Sequence, residues 1–188
     1  MPRKSFLQNR ELERLPPFIK SDINSKLLNA VLFQLGWFAC VLGGDVIAFA
    51  VTVSILCIHK ALFVDKRFEW SFIAAVALAG FIIDNSLAWL GVFTFQSPSL
   101  LLMPFWMMCI WLLFAMTLNH SLIWLKDRLW LASVLGAISG PMAYFAGSKL
   151  ANVALSTPPT FSLLSISVCW AVLLPVFFVF IRYQEATR

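Results

Sequence analysis

The chain has 188 residues, 61% of them hydrophobic and only 12% charged, about half the charged share of a soluble domain. Mean hydropathy is +0.86, and several apolar runs approach or exceed the ~18–20 residues that cross a bilayer core. These totals exclude a soluble globular protein, and the net charge of +5 lies in short loops and a leader rather than in a nucleic-acid-binding patch. The expected fold class is all-α, a polytopic membrane helical bundle of six transmembrane helices.

Residues 1–26, "MPRKSFLQNRELERLPPFIKSDINSK", are too polar and too long to be a cleavable signal peptide. They form a basic cytoplasmic leader, either solvated or an interfacial helix using Phe6, Leu7, Leu12 and Leu15. Proline, glycine and charge then divide residues 27–182 into six runs, at Leu27–Leu42, Val46–Ala61, Ser71–Phe93, Leu100–Ile123, Leu129–Lys149 and Phe161–Ile181. Residues 183–188 remain as a cytoplasmic tail. Gly43 and Gly44 suit a helix C-terminus, and Asp45 can cap the helix that follows. "GGD" therefore reads as the turn of a tight helical hairpin.

Thirteen of the 14 Lys and Arg residues fall in the leader, the second-to-third and fourth-to-fifth connections, and the tail. Lys149 alone lies on the other side. This asymmetry places both termini in the cytoplasm and supports an even number of spans. Trp70, Trp124 and Trp130 flank the cytoplasmic loops, as an interfacial aromatic belt would.

Between Glu69 and Lys126 the only charged residue is Asp84. It lies about 20 Å along the third span at 1.5 Å per residue, near the bilayer's middle. Ala77, Gly80, Asp84, Ala88 and Gly91 share one narrow helical arc, a small-residue face that lets another helix approach and turns Asp84 inward. Gly136, Gly140, Ala143 and Gly147 make a matching strip on the fifth span. Pro141 within that span deprives a carbonyl near Ala137 of its usual donor. Gln34 reaches comparable depth on the first span. The expected ligand or proton site is thus Asp84 and Gln34, with Ser139 and Tyr144 contributing. No basic residue lies at that depth. A neutral carboxyl, donating one hydrogen bond and accepting another, is then the least costly state. The bland role for Asp84 is glue between helices; the sharper one is to carry a proton or orient a ligand.

His59 and His120, the only histidines, lie near the cytoplasmic ends of the second and fourth spans. Two histidines at similar depth are what a bis-His haem would need, but nothing else marks a macrocycle pocket, and no metal or other cofactor is expected. Cys40, Cys57, Cys109 and Cys169 lie singly within apolar runs and read as small buried hydrophobes. No GxSxG, HExxH or phosphate loop is present, which leans against an enzyme. The fourth span is rich in Trp, Met and Phe, a lining suited to an acyl chain or simply to lipid and core.

The segments "LNAVLFQLGWFACVLGG", "PFWMMCIWLLFAMTLNHSLIWL" and "GPMAYFAGSKLA" resemble a bacterial inner-membrane family catalogued as domain of unknown function 2878, from about Asn29 onward. The resemblance implies the bacterial inner membrane and, through neighbouring genes resembling cyclopropane-fatty-acid synthases and stress-response regulators, a link to membrane-lipid modification. The leading expectation is an accessory or carrier protein for a lipid-like apolar ligand, with Asp84 at the bottom of a pocket between the first, third and fifth spans. Two alternatives stand beside it. One is a small proton-coupled transporter, expected to dimerise, using Asp84; the other is a structural partner of a lipid-modifying enzyme. Expected partners are therefore membrane lipids, such an enzyme or a second copy of the chain, and not nucleic acid.

Overall fold

The computed structural model describes residues 22–63, 67–95, 103–151 and 153–187. Residues 1–21 of the expected leader, the "QSPS" connection and residues 64–66 lie outside the described residues, and residues 22–26 of that leader instead begin the first helix. Among the described residues there are five α-helices: α1 (Asp22–Leu62), α2 (Arg67–Trp89), α3 (Phe105–Leu118), α4 (Leu129–Leu150) and α5 (Pro159–Ala186). Four of them, all but α3, are long and apolar enough to cross a membrane.

The 41-residue α1 is broken at Gly44, whose φ of 67° and ψ of −171° are not helical. Only glycine adopts this backbone without strain. The break reverses the chain. A Cβ on Gly36 would lie 2.9 Å from Ile55 Cδ1, whereas 19 residues of straight helix would separate them by about 28 Å. The two arms, 22–43 and 45–62, are antiparallel. Their facing stripes, Asn29, Gly36 and Cys40 against Ala48, Thr52, Ile55 and His59, are buried, and their spacings of three, four and seven place each set on one helical face. Asp45, expected to cap its own arm, instead accepts the Trp106 backbone N–H at 3.0 Å. It caps α3, where Pro104 occupies the N-cap position and offers no side-chain acceptor.

The fourth span differs most from the sequence-based expectation of Leu100–Ile123. Helix α3 has 14 residues, about 21 Å, and a separate 3-10 turn follows at Ile123–Leu125. Asn29 explains the early stop. Its Nδ2 donates to the Met116 carbonyl at 3.4 Å, and its Oδ1 accepts from the Ser121 hydroxyl at 2.8 Å and the Ser121 backbone N–H at 3.3 Å. Both ends of α3 are thus capped by side chains of α1. The third span likewise stops before Phe93. Gly91, at φ 72°, closes α2 through bonds from its own N–H to Ala88 and from Val92 N–H to Leu87, a Schellman motif. Phe93–Phe95 (β1) then pairs antiparallel with Val153–Leu155 (β2), Phe93 opposite Leu155. This small ribbon was not anticipated from the sequence.

Helices α4 and α5 pack through reciprocal bonds. Pro141 cannot donate to Ala137, and the Ser167 hydroxyl of α5 donates to that carbonyl at 2.8 Å. Pro175 likewise leaves Ala171 without a donor, and Ser133 of α4 supplies one at 2.7 Å. Each proline frees a carbonyl, and the partner helix satisfies it. The expectation for Ala137 is met, with Ser167 as its partner.

The bundle's outer faces stay apolar: Leu35, Leu42, Val46, Leu78, Trp89, Leu164 and Val168 are each more than half exposed. Apolar exposure on this scale belongs against lipid rather than water.

Candidate functional site

Asp84 is fully buried on the inward face of α2. Trp111 Nε1 of α3 donates to its Oδ2 at 2.7 Å, and the Tyr144 hydroxyl of α4 donates to its Oδ1. One carboxyl therefore ties three helices together, with both oxygens occupied. Gly80 lies one turn before it. A Cβ there would run into the Trp111 ring, so this glycine makes room for an indole rather than for another backbone. The Trp111 ring stacks on Trp170 of α5, with centroids 5.4 Å apart and planes 10° apart. Gly140 of α4 gives way to the Trp170 ring in the same manner. Gly136 does meet backbone, namely the Trp170 carbonyl. Of the five glycines expected to pack helices, Gly91 is the C-cap described above, and a Cβ on Gly147 would find no atom within 4 Å.

That open space belongs to a cavity of about 340 Å³ bounded by the first arm of α1, Asp84 of α2, and helices α3, α4 and α5. Its lining on α3 extends from Trp106 to Thr117, about 16 Å of helix. The walls are mainly apolar, with Phe33, Trp37, Ile110, Phe114 and Trp170 prominent. All four residues of the sequence-predicted site, Asp84, Gln34, Ser139 and Tyr144, line this cavity. Among the described residues Asp84 bonds to Trp111 and Tyr144, not to Gln34 or Ser139. Neither Trp111 nor Trp170 was singled out by sequence, because an aromatic side chain within an apolar helix carries no periodic signal.

The two histidines also meet. His59 Nε2 and His120 Nε2 approach the same atom, Glu69 Oε1, at 2.9 and 2.5 Å. Their ring centroids are 5.0 Å apart. Glu69 occupies the point between the two nitrogens where a haem iron would sit, and Phe63 and Trp70 pack on the His59 ring. Glu69 was not singled out by sequence either, since it is separated from His120 by most of two helices. The four cysteines are free thiols, Cys40 and Cys109 buried and Cys57 exposed.

A family profile, Protein of unknown function (DUF2878), matches residues 26–176. The chain belongs to this family. The match takes in both arms of α1, the Asp84 cluster, the cavity and the His59–Glu69–His120 cluster. No curated protein and no solved structure matches the chain.

Proposed function

We propose that this DUF2878 protein holds a lipid-like apolar ligand within the membrane, as an accessory or carrier protein in membrane-lipid modification. The observation that carries this reading is the cavity among the helices: mainly apolar lining along the length of α3, with one polar cluster of Asp84, Tyr144 and Trp111. Ligand sites commonly combine apolar walls with a few placed polar groups. An alkyl tail would lie along Phe33, Ile110 and Phe114, and an oxygen-bearing head would face Tyr144, Gln34 or Ser139. With both oxygens occupied, Asp84 serves chiefly to orient Tyr144 and Trp111.

We further propose that the chain crosses the bacterial inner membrane six times, the two arms of α1 counting separately, with both termini in the cytoplasm. The reversal at Gly44 and the distribution of Lys and Arg support this reading. The short α3 fits as one of the crossings because its ends rest on Asp45 and Asn29 instead of water.

Native mass spectrometry with lipid extraction tests the ligand. Gly147→Leu would fill open space without striking a neighbouring atom near its Cβ, so it should fold and lose the co-purifying lipid. Retention of the same lipid by that variant, or a wild-type protein free of specific lipid, would refute the carrier reading. A lipid-free protein whose proton flux in vesicles disappears with Asp84→Asn would favour the transporter.

A further inference from the structure

We propose that His59, Glu69 and His120 bind one first-row transition-metal dication of the Zn²⁺ or Fe²⁺ class. The site lies where the second arm of α1, the start of α2 and the turn after α3 meet. The chain has only two histidines, far apart in sequence, and both are brought to one carboxylate. Their Nε2 atoms lie 2.9 and 2.5 Å from Glu69 Oε1, and one ligand atom from each residue falls within 4.8 Å of the others. Metal–ligand bonds of about 2.0–2.2 Å set neighbouring donors roughly 3–3.4 Å apart. The carboxylate oxygen sits closer to both nitrogens than an ion would hold it, so it would draw back from them on binding.

The donor types narrow the ion. Two imidazoles and a carboxylate suit Zn²⁺, Fe²⁺ or a neighbour in that row, whereas Ca²⁺ and Mg²⁺ prefer oxygen alone. Charge agrees as well: among the described residues, the ion-pair partners of Glu69 are these two imidazoles. The His59 ring is held before any ion arrives, buried, stacked on Phe63 at 5.4 Å and edge-on to Trp70 at 6.2 Å. Three protein ligands leave at least one coordination position for water or an exogenous oxygen. Ser121 and Leu122, which directly follow His120, line the cavity, so the ion would sit beside its end.

The test uses the full chain purified without chelators, its metals counted by plasma mass spectrometry. Chelator-treated protein is then titrated with Zn²⁺ and Co²⁺, following Co²⁺ absorption and the thermal midpoint. About one dication per chain is expected, with a midpoint raised on binding. Glu69→Gln keeps an oxygen that can accept both imidazole N–H groups, so the apo cluster and the fold should persist. Its metal affinity should fall at least ~10-fold, as should that of His120→Gln. Wild-type protein that binds neither ion, or binding unchanged in both variants, would overturn the proposal. If the variants do not fold, X-ray absorption of Zn²⁺-loaded wild type decides: two imidazole scatterers are expected, and a shell of oxygen alone would overturn it.

Discussion

Tyr144 and Trp111 each direct a donor at Asp84, and the cost of losing the carboxyl differs from that of losing one donor. Tyr144→Phe removes one bond, and interhelical hydrogen bonds in membranes contribute about 0.6 kcal/mol on average and up to about 1.7. Asp84→Leu strands both donors in a dry interior, at about 1–3 kcal/mol each. Asp84→Asn falls between, since Trp111 and Tyr144 use different carboxyl oxygens and one of them would face the amide NH2 instead. The order Tyr144→Phe, Asp84→Asn, Asp84→Leu should therefore appear in unfolding by denaturing detergent, and an Asp84→Leu protein as stable as wild type would show that the triad holds nothing together. Asp84 itself was legible in the sequence as a lone acid on a small-residue face. Its partners were only half legible: Tyr144 lies at matching depth on the fifth span, while Trp111 is one aromatic among many. Gly80 and Gly140 were legible as close contacts, but a glycine does not say whether backbone or an indole ring will fill the space it leaves.

At the scale of elements, the α4–α5 pair shows how two internal prolines can be tolerated in hydrocarbon. Each broken backbone bond is replaced by a serine from the opposite helix, so a double-mutant cycle separates this role from ordinary packing. Ser167→Ala should destabilise by about 1 kcal/mol in the wild-type background, within the range for such bonds in membranes. In a Pro141→Ala background, where residue 141 regains its N–H and can bond to Ala137, the same change should cost little. Equal costs in both backgrounds would mean that the hydroxyl is not serving the freed carbonyl. The freed carbonyl of Ala137 was legible, because proline chemistry is local. The serine that answers it was not, because it lies 30 residues away and no local signal marks it. The hairpin at Gly43–Asp45 was legible for the same local reason. The early end of α3 was not, because it is imposed by Asn29 from another helix.

For the molecule as a whole, the polar contacts other than the Asp84 triad and the serine–proline bonds sort into two ends. Asn29, the His59–Glu69–His120 cluster and the Lys126–Glu185 pair at 2.8 Å lie at one; Asp45, Asn85 with its bond from Met103, and the β1–β2 ribbon lie at the other. If the first end is cytoplasmic, a fluorescent reporter fused after Ala186 should be bright, and alkaline phosphatase fused there inactive. The reverse pattern would invert the proposed orientation. The all-helical character and the long apolar helices were legible from composition and from the apolar runs. The assembly of His59, Glu69 and His120 was not, because it depends on how three helices meet.

The crossed serine–proline arrangement also bears on how this sequence can drift. Exchanging Ser167 for an apolar residue is neutral only after residue 141 has ceased to be proline, and the same holds for Ser133 and Pro175. Substitutions at these four positions are therefore tied in pairs across two helices, and the order in which they occur matters.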